Sequence, residues 1–150
     1  MANAEIIPVG LGELDLIADL YNQVFTPPRD LESLRRRFEG RRNVLILVAQ
    51  LDGRPVGFLT ALELKPDTHF GWLCGVLPDF RRAGIASQLL QGHEAWAREQ
   101  RYEILRFECY NRHRPMLQTA ITHGYNIVGI RWDGQHQDNL VIFEKDLTDQ

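Results

Sequence analysis

Apolar and polar positions follow two rhythms along this chain. One is helical: LGELDLIADLYNQVF (11–25) sets Leu14, Ile17, Leu20, Tyr21 and Val24 three or four apart, the spacing of a helix with one buried face. Thr26-Pro27-Pro28 stops it. DLESLRRRFEG (30–40) predicts a second, short helix, capped by Asp30 and ended by Gly40. The other rhythm belongs to strands. EIIPV (5–9) reads as an edge strand, because Pro8 cannot donate to a ladder. NVLILVAQLDGRPVGFLTALEL carries two apolar runs around Asp52-Gly53, a hairpin dipeptide, and FGWLCGVLP (70–78) is a further strand. The helical period returns after Gly84, with Ile85, Leu89 and Trp96 on one stripe and Ala86, Leu90 and Ala97 beside it. EILRFECY (103–110) predicts a strand, and RPMLQTAITHG a helix with Pro115 in its first turn and Gly124 at its end. YNIVGIRW and NLVIFEKDL close the chain as two strands joined by DGQHQD.

The order is therefore β-α-α-β-β-β-α-β-α-β-β. Hairpins are antiparallel, whereas the strand–helix–strand from 70 to 110 implies a right-handed parallel crossover. The expected fold class is α/β, a mixed sheet with helices on both faces. At 150 residues, with no repeat or linker, a single domain over 1–150 is sufficient.

Composition narrows the field. A net charge of -3 gives no reason to expect a nucleic acid or an anionic membrane as partner. The N-terminus has no leader-like pattern, and no apolar run approaches the ~20 residues that span a bilayer. A cytoplasmic protein is the expectation. Cys74 and Cys109 both lie in apolar runs and read as buried free thiols, with a disulfide as the alternative. Arg35, Arg36, Arg37, Arg41 and Arg42 cluster as either a solvated face or a patch for an anionic ligand.

The chemistry concentrates in VLPDFRRAGIASQLL (76–90). A strand feeding a helix N-terminus makes an anion site, because the first N–H groups have no intrahelical partner and the helix dipole favours negative charge. Gly84 removes a side chain there, and Arg81 and Arg82 add charge. A pyrophosphate fits this arrangement. It is not a Walker loop, which needs a lysine, nor a dinucleotide fingerprint, which needs two more glycines.

Val76-x-Pro78-x-x-Arg81-x-x-Gly84-x-Ala86-x-x-Leu89-Leu90 resembles the acyl-CoA motif of GNAT-type N-acetyltransferases. Leu105-x-Phe107-x-x-x-Asn111, Met116-Leu117 and Gly124-Tyr125 are similar to the family's later elements, and the element order matches its fold. The resemblance implies acetyl-CoA as co-substrate, lying in a V-shaped gap between the strands that end near Val76 and Cys109. It implies backbone N–H groups of Arg82, Ala83, Gly84, Ile85, Ala86 and Ser87 on the pyrophosphate, with Arg81 at the entrance. Gly75 and Val76 would hold the pantetheine and polarise the thioester carbonyl, and Asn111 belongs to the same cofactor set. No metal is implied. The acceptor would be the amine of a small molecule or peptide, attacking directly; a homodimer is a further expectation.

One departure stands out. The family's tyrosine acid, four residues before the Gly-aromatic pair, is Ala120 here. Glu63 and His69 are the candidate bases: Glu63 against the plainer reading of a solvated strand end, and His69 because it opens the fourth strand and titrates in the useful range. His113 is a loop histidine that could reach the thioester. Tyr110 is set aside because strand alternation turns it away from Asn111. Asp133, His136 and Asp138 either shape the acceptor mouth or are ordinary turn residues. Cys74 and Cys109 flank the gap, as packing or as acyl carriers, and Phe58, Phe70 and Trp72 line a pocket or fill the core. The main expectation is an N-acetyltransferase. Its rivals are an acyl-CoA sensor without turnover and a domain that binds no CoA.

Overall fold

In the computed structural model, described for residues 3–148, seven strands form one sheet in the order β1-β2-β3-β4-β5-β7-β6. The strands are β1 (Glu5–Val9), β2 (Leu45–Leu51), β3 (Arg54–Lys65), β4 (Thr68–Val76), β5 (Ile104–Tyr110), β6 (Asn126–Asp133) and β7 (Asp138–Asp146). The helices are α1 (Leu14–Val24), α2 (Leu31–Phe38), α3 (Ile85–Glu99) and α4 (Arg114–Thr122). The expected order and the mixed α/β class hold, and β4 pairs with β5 in parallel while every other pair is antiparallel. No helix among the described residues is long and apolar enough to cross a membrane.

Local signals act as their chemistry dictates. The Asp30 carboxylate accepts from the Ser33 N–H at 2.7 Å, capping α2. Asp52 and Gly53 both take positive φ (50° and 78°), the requirement of a tight hairpin turn. The two faces of the sheet carry separate cores. One joins α1 and α2 to Ile46, Val48, Phe58, Leu62 and Phe70; the other sets Ile85, Leu89, Leu90 and Ala97 of α3 against Leu59, Val76, Leu105 and Phe107. β6 is an outer edge, where Ile127, Val128, Ile130 and Trp132 are each more than half exposed.

Candidate functional site between the splayed strands

β4 and β5 are bonded only from Thr68↔Ile104 to Gly71↔Phe107. Beyond Gly71, β4 stays on β3 as far as Val76, and β5 stays on β7 as far as Tyr110. Each wall of the gap is therefore held from behind while its facing edge is unpaired. The cause lies at the point of parting. On β3, Thr60 and Ala61 are neighbours, but their partners on β4 are Leu73 and Gly71. Trp72 is the extra residue of a bulge, and a bulge bends the strand that carries it. The Thr60 hydroxyl beside it is buried and has no hydrogen-bond partner among the described residues.

Strand alternation decides which backbone groups line the gap. The Leu77 N–H donates to the Val56 carbonyl at 2.8 Å, so Leu77 and Gly75 turn their polar groups to β3, and Cys74 and Val76 turn theirs to the gap. This corrects the expectation for Gly75. Its backbone belongs to β3, and its contribution is a missing side chain: a Cβ there would lie 2.9 Å from Phe58, 3.0 Å from Phe25 and 3.2 Å from Val24.

Past β4, a short turn (Pro78–Phe80) leads to two left-handed residues, Arg82 at φ 65° and Gly84 at φ 81°. Gly84 is the N-cap of α3 rather than an internal helix residue. Glycine is therefore required first by the backbone, since a Cβ in the left-handed region costs about 1 kcal/mol. Gln88 N–H makes the helix's opening bond, to the Gly84 carbonyl at 3.1 Å, which leaves the N–H groups of Ile85, Ala86 and Ser87 ahead of it. Between this turn and α4 lies a cleft of about 540 Å3 lined by Arg82, Ser87, Pro115, Gln118, Thr119 and Thr122. Ala83 is half-buried and packs on the α3-side core. Arg81 stands at the entrance to this turn. Its Nε donates to the Val76 carbonyl at 3.2 Å, bracing the end of β4. These features suit acetyl-CoA: an unpaired strand edge for an amide-bearing arm, then free N–H groups and an arginine at a cleft for phosphates. Asn111 ends β5 through its N–H, bonded to the Asn139 carbonyl at 2.9 Å, and its side-chain amide has no partner among the described residues.

The two candidate bases lie elsewhere. Glu63 and His69 are cross-strand partners at the closed end, where β4 is still zipped to β5. His69 is fully buried and points toward α3, which sequence reading missed as a partner because His93 sits on α3 between the core residues Leu89 and Ala97. His69 Nε2 lies 2.7 Å from the Asn43 carbonyl, so it carries the proton there. Its Nδ1 then accepts from His93 Nε2 at 2.8 Å. Burial pushes the pKa of both rings down, that of His93 to about 3. Trp96 and Tyr102 close around the pair, and the Tyr102 hydroxyl donates to Glu63 at 2.8 Å while accepting from Asn43. Both ring nitrogens of His69 are engaged and the ring is sealed from solvent. Its place is structural, and Glu63 belongs to the same network.

At the open end the titratable groups differ. The His113 ring lies 5.7 Å from that of Phe25, which borders Gly75, and 6.3 Å from that of Tyr110. Burial lowers its pKa, helped by Arg112. Arg106, Glu108 and Tyr110 share the β5 face opposite Leu105, Phe107 and Cys109, which pack on the α3 side. The Tyr110 hydroxyl donates to Asp133 at 2.6 Å, with His136 Nδ1 2.9 Å from the same carboxylate oxygen. Burial, together with this bond to Asp133, pushes the Tyr110 pKa up to about 12. Asp138 accepts from the Arg112 N–H at 3.0 Å. The last hairpin thus joins the gap's rim. Cys74 and Cys109 are free, and burial raises each thiol to about 12, the wrong direction for an acyl-carrying thiolate. Ala120 is fully buried. Phe58 and Phe70 are core residues, whereas Trp72 is only half-buried.

Solved structures share this architecture. The ribosomal-protein-S18-alanine N-acetyltransferase of Escherichia coli superposes with a TM-score of 0.85 at 14% identity, covering 99% of this chain and 96% of that one. An N-acetyltransferase from Staphylococcus aureus Mu50 gives 0.80 at 23% identity, covering 98% and 100%. The yncA protein of Salmonella typhimurium, solved with its cofactor acetyl-CoA, gives 0.81 at 14% identity, covering 99% and 96%. No curated protein matches the chain by sequence. Residues 14–125 match the acetyltransferase (GNAT) family, a stretch that runs from α1 through the gap and the Gly84 turn to the end of α4. The chain belongs to the GNAT acetyltransferase family.

Proposed function

We propose that this protein is an N-acetyltransferase that moves the acetyl group of acetyl-CoA to the amine of a small-molecule or peptide acceptor, by direct attack in a ternary complex. The observation that carries the reading is the edge of β4 beyond Gly71, unpaired toward β5 and continuous with the left-handed turn at Gly84. Cys74 and Val76 would bond the amide-bearing arm of the co-substrate, and the N–H groups from Gly84 to Ser87, with Arg82, its phosphates. When bound, acetyl-CoA supplies an acetyl group activated as a thioester. The Val76 N–H, preplaced toward the gap, is the donor suited to an oxygen gaining charge there. His113, held neutral near pH 7 by its lowered pKa, is the side chain suited to take the amine's proton. Ala120 offers no acid, so the thiolate leaves without help from α4.

Calorimetric titration with acetyl-CoA, CoA and ATP tests the first half. Micromolar binding of both CoA species and none of ATP is expected. Gly84→Asp, which sets a carboxylate where the phosphates would lie, should weaken acetyl-CoA binding at least 100-fold. Release of free thiol with an amine panel tests the second half; tight binding with no turnover of any amine would favour an acyl-CoA sensor. A folded protein that binds neither CoA species sinks the reading.

A further inference from the structure

Trp72, the bulge residue at which β4 leaves β5, faces α1 and α2 rather than α3. Two guanidinium groups lie on its ring, Arg29 at 5.2 Å and Arg37 at 4.9 Å from the centroid. Phe38 meets the same ring edge-on at 5.6 Å, which fixes its orientation. Neither arginine makes an ion pair with any described residue. The oxygens that hold the Arg29 guanidinium among the described residues are neutral, the Tyr21 hydroxyl at 3.3 Å and the Ser33 hydroxyl at 3.4 Å. Nearby carboxylates have other partners: Asp30 caps α2, Glu32 pairs with Arg35 and Arg36, and Glu108 on β5 and Glu144 on β7 are engaged by Arg106 at 3.2 and 3.5 Å. Arg37 is disfavoured as a cation by burial and by Arg41 and Arg29 beside it, against a weaker pull from Glu108. Positive charge is thus concentrated and oriented, without a direct ion pair among the described residues, on the side of the gap away from α3.

We infer that Arg29 and Arg37 bind a carboxylate of the acceptor, which makes the acceptor an amine that also carries a carboxylate, such as an amino acid. This rests on the acetyl-transfer reading above. A guanidinium presents two parallel N–H donors that match the two oxygens of a carboxylate, and stacking on Trp72 holds that fork in place. The bond formed is the amide between the acceptor nitrogen and the acetyl carbon, the bond broken is carbon to sulfur, and the amine's proton leaves with the thiolate or to a base. The carboxylate takes no part in these changes; it positions the amine.

The test uses matched acceptors in the thiol-release assay: amino acids against their amides, and ethanolamine phosphate against ethanolamine. Acetyl-CoA affinity is measured separately by calorimetry. The free acids should exceed their amides at least 10-fold in kcat/KM. Arg37→Gln should raise KM for the acids at least 10-fold, leave the amides unchanged and leave the Kd for acetyl-CoA unchanged. Arg37→Lys should recover only part of the loss, and Arg36→Gln on the exposed face should change nothing. Equal use of acids and amides, a preference for the phosphate, or no turnover of any acid by protein that binds acetyl-CoA overturns the assignment. Failure to bind acetyl-CoA overturns the acetyl-transfer reading instead.

Discussion

The two ends of β4 are built on opposite rules. At its start, His69, His93, Asn43, Tyr102 and Glu63 meet one another's hydrogen-bonding groups, and the strand is bonded on both sides. At its end, Cys74 and Val76 present backbone groups to a gap, and the residues beyond take left-handed conformations. The first end is closed and satisfied, so it holds the sheet together. The second leaves backbone donors and positive charge facing the gap, where a ligand can take the place of water. Glu63 and His69, the two candidate bases of the sequence, therefore lie at the closed end, away from the gap.

Substitutions can break or sharpen this contrast. The largest effect is expected at the closed end. His93→Ala leaves a cavity and strips His69 Nδ1 of its donor, which should cost about 3 kcal/mol and lower the melting temperature by roughly 6–12 °C. Acetyl-CoA affinity, measured on protein kept below its melting point, should stay within about twofold. Next comes Gly75→Ala at the open end, where the new Cβ meets Phe58, Phe25 and Val24. Overpacking of that kind costs about 1–3 kcal/mol, read by denaturant unfolding. Unlike the first variant, it should also weaken acetyl-CoA, because Val76 shifts with its neighbour.

The histidine pair also makes a pH prediction. Both rings have folded pKa values below the unfolded value of about 6.5, so the unfolded chain binds more protons as pH falls. Their contribution is complete above about 6.5 and is lost progressively toward the folded value, about 3 for His93. Unfolding followed from pH 7 to pH 4 should show declining stability, with a shallower decline in His93→Gln; an unchanged slope would mean the pair does not titrate on unfolding. The smallest effect is expected for Glu63→Gln, with kcat within about twofold of the parent because the amide still accepts from Tyr102. A 100-fold fall in kcat would return Glu63 to the chemistry and abolish the distinction between the two ends.

Much of this was legible from the residues. Pro8, Asp30, Asp52-Gly53 and Gly124 each state a local conformational demand, and each is met where it was read. The phosphate-suited turn at Gly84 was legible too, though its reason was misread: left-handed backbone at the helix cap calls for glycine there before any ligand does. His93 was missed because it sits at a core position of α3, where a polar residue signals a buried partner that is identified only across the sheet. Arg29 was passed over because it is isolated in sequence, next to the more conspicuous run at 35–37.

By itself, then, the sequence determined the order of elements, the hairpin turns, the helix caps and the motif that places a helix start behind a strand. These depend on steric and hydrogen-bonding preferences that act within a few residues. The tertiary structure decided where β4 parts from β5, which backbone groups of Cys74 and Val76 face the gap, that His69 is sealed against His93, and that two arginines converge on Trp72. A bulge is a mismatch in count between two strands, and a buried pair joins residues 24 apart. Neither property resides in any one segment, because each exists only when separate elements are packed together.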